Sequence, residues 1–128
     1  MSERIEIFID AMPISANRLW LQNYRTKRTY LNPKYKMFRE LVRFRTAGLK
    51  MPDDWPYAYV ELVVHPPRRV GDSDNYNKCC LDSLTYAGFW KDDKLAAGVY
   101  SHFGAPDPNK KGCVLIKLER RETKFADE

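Results

Sequence analysis

At 128 residues, 44% hydrophobic and a formal charge of +5, the chain is sized for a single domain, residues 1–128, with apolar content sufficient for a core. No apolar run approaches the roughly 18 residues needed to cross a bilayer. Glu3, Arg4, Glu6 and Asp10 break the only early apolar stretch, so neither a membrane span nor a signal peptide is expected and a soluble, cytoplasmic protein is.

Ile5, Ile7 and Ile9 alternate with Glu6, Phe8 and Asp10, which predicts a strand with one apolar face. Residues 15–30 have no clean period and read as a long loop with room for a short ordered piece. Asn32-Pro33 is a helix start, with Asn at the cap and Pro at the first helical position. Tyr35, Phe38, Leu41 and Val42 then recur at helical spacing, and Gly48 marks the stop. Tyr57 to His65 reads as a second strand, interior to the sheet because Leu62, Val63 and Val64 are continuous apolar. Asp72 to Asp74 caps a second helix that runs to about Ala87, with Cys80, Leu81, Leu84 and Ala87 as its apolar stripe and Gly88 just beyond its end. Leu95 to Phe103 and Cys113 to Arg120 are two further strands, and 122–128 a frayed tail. The expected fold is α+β, a single domain of order β-α-β-α-β-β. Cys79, Cys80 and Cys113 show no CxxC spacing, so buried reduced thiols are expected rather than a zinc site.

The charge is unevenly spread. Residues 1–50 hold 11 Lys/Arg against 4 Asp/Glu, and residues 51–128 hold 11 against 13. The basic half suits a polyanion such as a DNA backbone, although charge alone fits an ordinary solvated face equally well.

Four acids stand at the two ends of the second helix: Asp72 and Asp74 before it, Asp92 and Asp93 after it. Asp72 and Asp74 are two residues apart, so in an extended segment both reach one ion. A helix beginning at about Asp74 also sets that carboxylate at the positive end of its dipole. At most one of Asp92 and Asp93 turns inward from an extended segment. Lys78, four residues after Asp74, then shares its face, and Arg68 and Arg69 precede the cluster. Oxygen ligands for a divalent cation, a lysine and two arginines are the components of phosphodiester hydrolysis. Each has a plainer reading: capping and turn chemistry for the acids, a surface ion pair for Lys78, solvated loop charges for the arginines. Asp82 is expected to be structural and to pair with Lys78, and Phe89-Trp90 to be core that locks the Asp92-Asp93 turn. His65 and His102 have no partner spacing that points to catalysis.

The ordered set Arg69, Asp72, Asp74, Asn75, Lys78, Asp82, Leu84 and then Ala87-Gly88-Phe89-Trp90-x-Asp92-Asp93 resembles the RusA family of Holliday junction resolvases. Pro13-Ile14-Ser15-Ala16-Asn17-Arg18 is similar, more weakly, to the family's turn after the first strand. The resemblance implies a homodimer that nicks four-way DNA junctions symmetrically, in recombination, repair and debranching, in a bacterial or phage-infected cell. It implies Asp72, Asp74, Lys78 and Asp93 as catalytic. Asp72, Asp74 and Asp93 would be the metal-binding members, with Asp92 supporting. Mg²⁺ is the implied cofactor, Mn²⁺ a substitute, with no small-molecule cofactor and no membrane partner. Asn17, Arg18, Arg25, Lys27, Arg28, Arg68 and Arg69 are the expected DNA contacts, with Trp20 and Tyr24 interleaved for stacking on unpaired bases. The rival readings are a nuclease acting mainly on flaps or forks, a non-catalytic branched-DNA-binding protein, and an RNA-binding module, for which no motif is present.

Overall fold

A computed structural model describes residues 3–68 and 73–124, with Ser73 and Asp74 described as backbone only. Arg69 and Asp72, both expected at the site, lie outside the described residues.

Four strands form one sheet: β1 (Arg4–Ile9), β4 (Tyr57–His65), β5 (Ala96–Phe103) and β6 (Cys113–Arg121). Their spatial order is β1-β6-β4-β5. β6 runs antiparallel to both β1 and β4, while β4 and β5 are parallel. A parallel pair needs a crossover, and helix α2 (Asn77–Tyr86) supplies it between β4 and β5. β4 is interior, as expected, but its burial alternates along its whole length. Ala58, Val60, Leu62 and Val64 are fully buried, whereas Val63 is only half-buried. The apolar run there reflects a sheet covered on one side.

That covered side carries Ile7 and Ile9 from β1 and Val114, Ile116 and Leu118 from β6, all in one core with both helices. Helix α1 (Pro33–Arg45) contributes Tyr35, Phe38 and Val42. Asn32 caps it by accepting from the Lys34 N–H at 3.0 Å, and Gly48 follows in the left-handed region at φ 78°, as the sequence predicts. The Arg39 guanidinium lies over the rings of Tyr35 (5.6 Å) and Tyr86 (4.2 Å), joining α1 to α2. No helix among the described residues is long and apolar enough to cross a membrane.

Two expectations are corrected. Residues 15–30 hold more order than a long loop with one short ordered piece: a 3₁₀ turn (Ala16–Arg18) leads into a hairpin of β2 (Trp20–Gln22) and β3 (Thr29–Leu31). Each strand has three residues, too few to establish a period. Asn23 organises the tip by accepting from the N–H groups of Arg25 and Thr26, and Lys27 takes φ 61°. The hairpin therefore sits between the first strand and first helix of the expected β-α-β-α-β-β order. Secondly, α2 begins at Asn77, not at Asp74. A separate 3₁₀ turn, Ser73–Tyr76, precedes it, and the side chain of Tyr76 at the N-cap makes no capping hydrogen bond. Asp74 thus lies outside the α-helix, so its four-residue spacing to Lys78 is not a spacing within one α-helix. The helix buries Cys79, Cys80, Ser83 and Leu84; Leu81 and Ala87 of the expected stripe are only partly covered.

Candidate active site

The site segment wraps α2 at both ends. At its start, Tyr76 packs edge-on against Phe103 of β5 at 6.4 Å between ring centroids, fixing the 3₁₀ turn that contains Asp74 against the sheet. At its end, Gly88 adopts φ 79° and reverses the chain. Phe89 and Trp90 are then buried and in edge-to-face contact at 5.9 Å. The Trp90 indole N–H donates to the Thr85 hydroxyl at 2.9 Å, and the Phe89 carbonyl accepts from the Met51 N–H. This anchorage delivers Asp92 and Asp93 directly after rigid core.

Asp92 and Asp93 occupy different environments. Asp92 is extended and caps the short 3₁₀ turn Asp93–Leu95, accepting from the Lys94 N–H at 2.8 Å. That hydrogen bond, then one shared with Asp93, lowers the Asp92 carboxyl below the usual range. Asp93 is raised instead, first by its hydrogen bond with Asp92, then by desolvation and by the charges of Asp92 and Asp82, while Lys78 opposes the shift. Asp93 therefore lies within electrostatic reach of Lys78 and Asp82 on α2. The Lys78 ammonium lies 3.2 Å from the Asp82 carboxylate, the pairing read from their spacing.

The buried side of the helix is anchored through one of its thiols. The Ile14 N–H donates to Cys79 Sγ at 3.4 Å, tying the chain after β1 to α2. Burial pushes the Cys79 thiol up to about 12 and Cys80 also upward, so neither is a thiolate nucleophile at neutral pH. Cys79, Cys80 and Cys113 are all free, the first two buried.

The expected DNA contacts fall in three places. Asn17 and Arg18 are exposed on the Ala16–Arg18 turn, where Asn17 accepts from the Ser15 hydroxyl at 2.7 Å. Arg25, Lys27 and Arg28 are exposed at the hairpin tip with Tyr24 (87% exposed), while Trp20 (61%) lies at the other end of the hairpin, paired with Leu31. Arg68 is exposed at the described end of the segment after β4. Asn32, recognised from sequence only as a helix cap, also holds this turn, because its side-chain amide donates to the Arg18 carbonyl at 2.9 Å. Asp82 was legible as the partner of Lys78 but not as a neighbour of Asp93. His65 bonds the Ala105 carbonyl and His102 pairs with Glu61, away from these acids in sequence and partners.

The family model described as endodeoxyribonuclease RusA matches residues 10–118. The chain belongs to the RusA family. A relative from Escherichia coli O139:H28, named crossover junction endodeoxyribonuclease RusA, is 32% identical over 123 residues, covering 91% of this chain and 92% of that protein. Proteins of the same name from Shigella sonnei and Enterobacteria phage 82 are each 34% identical over 88 residues, covering 63% of this chain and 68% of theirs. The matched span of the RusA model contains β4, α2, β5 and every residue described above from Asp10 to Leu118.

Among the described residues no three carboxylate, histidine or cysteine side chains converge as a metal site. The acids in question are all oxygen donors, a set that fits a hard divalent cation. Asp93, crowded by the charges of Asp92 and Asp82, is the described carboxylate that a cation would relieve most directly.

Proposed function

We propose that this RusA-family chain is a crossover junction endodeoxyribonuclease, hydrolysing phosphodiester bonds at four-way DNA junctions by paired nicks. The observation that carries the reading is its likeness to a relative of that name across nine-tenths of both chains, together with a family match that spans the acidic segment around α2.

The roles are assigned as follows. Asp72, Asp74 and Asp93 hold Mg²⁺, or Mn²⁺ in its place. Bound there, a divalent cation lowers the pKa of water and neutralises charge on the phosphate. Lys78 supplies a positive charge toward the scissile phosphate, worth most where charge develops in the transition state. Asp82 holds the Lys78 ammonium in one place meanwhile. Asp92 spends its carboxylate on the Lys94 N–H and so fixes the turn that presents Asp93 to α2. Arg68 and Arg69 contact phosphates next to the site. Asn17, Arg18 and the hairpin cations Arg25, Lys27 and Arg28 hold the DNA arms. A homodimer presents two such sites to the two-fold junction.

The deciding experiment is incubation of purified protein with a synthetic four-way junction, a fork and a matched linear duplex, in Mg²⁺ and in EDTA. Symmetric nicks in the junction, only with Mg²⁺, are expected. Preferential cleavage of the fork would move the assignment to a branch nuclease. Binding without cleavage of any of them would leave a non-catalytic junction-binding protein.

A further inference from the structure

Alongside the acidic segment lies a groove of about 1020 Å³, between the chain that follows β1 and one side of α1. Its floor is apolar: Met12, Pro13 and Ile14 on one wall, Met37 and Leu41 on the other. Its rim is cationic: Arg18, Lys34, Lys36 and Lys111. We infer that this groove takes an unpaired strand of DNA leaving the scissile site, with its bases on the apolar floor and its phosphates on the rim. The inference rests on the nuclease reading above and deepens it by placing one stretch of the substrate.

Three observations carry it. The groove is continuous with the site: Tyr76, which lines it, stands in the same short turn as Asp74 and directly before α2. A strand entering the groove therefore begins beside the acidic segment. The rim has charge to offer. Lys111 is engaged by Asp10 at 3.1 Å, but Arg18, Lys34 and Lys36 have no carboxylate within ion-pair distance among the described residues. Of the two acids on the lining, Asp10 is taken by Lys111, and Glu40 accepts from the Tyr86 hydroxyl and pairs with Arg43 at 3.6 Å.

The walls are also already built. Ile14 is held to α2 through Cys79, and Arg18 to the start of α1 through Asn32. Gly112 (φ 90°) lies so close to Met12 that an added Cβ would sit 2.8 Å from the Met12 Cβ, so the loop before β6 packs on the wall by its backbone. A preformed groove costs little ordering on binding.

An apolar floor discriminates between forms of DNA. A duplex offers a protein surface its phosphates, sugars and base edges, but its stacked bases keep their faces hidden. Unpaired nucleotides expose their faces, and an apolar floor between cations rewards them. Met37, 74% exposed, is the most accessible apolar side chain on the groove lining.

The test uses the whole chain with Met37→Glu and with the double substitution Lys34→Ala, Lys36→Ala. All three residues are exposed on α1, so the fold tolerates the changes. Affinity for a fluorescein-labelled single-stranded oligonucleotide and for a linear duplex is measured by anisotropy in EDTA. A four-way junction carrying 2-aminopurine beside the branch point reports unstacking. The expected result is about a tenfold loss of single-strand affinity for Met37→Glu, with duplex affinity little changed and the 2-aminopurine rise reduced. The double variant should lower the salt slope for the single strand by about one to two units. Unchanged single-strand affinity in both variants overturns the assignment. So does an equal loss for single strand and duplex, which would make the groove a backbone contact only. A change in oligomeric state for Met37→Glu by light scattering also overturns it, since the groove would then be a contact between copies. Cleavage of the junction by the unaltered chain in Mg²⁺ is scored separately: its failure removes the nuclease reading, while the EDTA binding data judge the groove.

Discussion

Lys78 Nζ lies 3.2 Å from Asp82 Oδ2, and the charges of both bear on the Asp93 carboxyl in opposite directions. The pair is exposed enough that its contribution to stability is small, about 0.3–0.5 kcal/mol for an i,i+4 helix pair. If Lys78 acts on the phosphate, its effect on rate is of another order. Lys78→Ala is expected to reduce single-turnover cleavage of a junction about 100-fold, with a small loss of affinity and no change in melting temperature beyond a degree or two. Lys78→Arg should recover little, because a planar fork replaces a compact charge. Asp82→Asn should fall between wild type and Lys78→Ala, since it frees the ammonium without removing it. Wild-type turnover in Lys78→Ala would return the residue to a surface ion pair.

Asp93 gives a prediction that separates metal binding from folding. Its carboxyl is raised in the folded chain by the hydrogen bond with Asp92, by desolvation and by the charges of Asp92 and Asp82. A raised acid binds more protons folded than unfolded, so stability falls as pH rises from the ordinary carboxylate range through the raised value. Above that window the ionised group is a liability without a cation. Asp93→Asn is therefore expected to melt at the same temperature as wild type or slightly higher in EDTA at neutral pH, and the difference should vanish in acid. In Mg²⁺ the wild type should gain stability by mass action and the variant much less. Cleavage by Asp93→Asn, and likewise by Asp72→Asn and Asp74→Asn, should be lost while junction binding in EDTA persists. Calorimetry with and without Mg²⁺, beside gel-shift and cleavage assays, measures all of this.

The strands and helices that build the sheet were legible because each is long enough to show a period. Ile5, Ile7 and Ile9 alternate, Tyr35, Phe38 and Val42 recur at helical spacing, and Asn32-Pro33 and Gly48 mark the ends of α1. The β2–β3 hairpin was not legible, because three-residue strands carry no period and its tip turns on one side chain, Asn23. The start of α2 was misplaced because Asp72-x-Asp74 has the chemistry of a cap, whereas the 3₁₀ turn Ser73–Tyr76 is held by Tyr76 against Phe103, a contact between residues 27 apart. The acidic pairs could be picked out by type and order. That Asp92 caps a turn while Asp93 lies within electrostatic reach of Lys78 and Asp82 depends on how Phe89 and Trp90 are buried, which local sequence does not encode.

Asn32 couples stability to the DNA-facing turn. Its side-chain Oδ1 caps α1 by accepting from the Lys34 N–H, its side-chain Nδ2 donates to the Arg18 carbonyl, and it is buried. Asn32→Ala removes the cap and leaves the Arg18 carbonyl without that donor. A loss of about 0.5–2 kcal/mol in urea unfolding is expected from the cap. Asn32→Asp keeps an acceptor for Lys34 but cannot donate to Arg18, so it should recover much of the stability. Junction affinity should stay reduced in both variants, because the Ala16–Arg18 turn is loosened in both. Equal recovery of stability and affinity in Asn32→Asp would show that the amide contact to Arg18 has no part in binding.

The hairpin separates recognition from chemistry. Arg25, Lys27 and Arg28 are exposed at its tip, and among the described residues none forms an ion pair. The tip belongs to a different sheet from the one that frames α2. Cations placed this way suit phosphates on a DNA arm rather than the scissile bond. Arg25→Ala with Arg28→Ala is expected to weaken junction binding and to lower the slope of log affinity against log salt by up to about two units, since each lost phosphate contact releases roughly one fewer counterion. Lys27 is better left in place, because its φ of 61° couples any substitution there to the turn itself. Turnover at saturating protein should fall much less than for Lys78→Ala. Arg68→Ala should do the reverse, with a larger effect on turnover, because Arg68 precedes the acidic segment directly in the chain. The preference for a junction over a linear duplex should survive the double substitution, since a two-fold arrangement of sites, not a single charge, would set it. Filter binding across a salt series, with single-turnover cleavage on the same substrates, decides the matter. Unchanged affinity and salt slope in the double variant would make the hairpin tip a solvated face and place the path of the DNA arm elsewhere on the molecule.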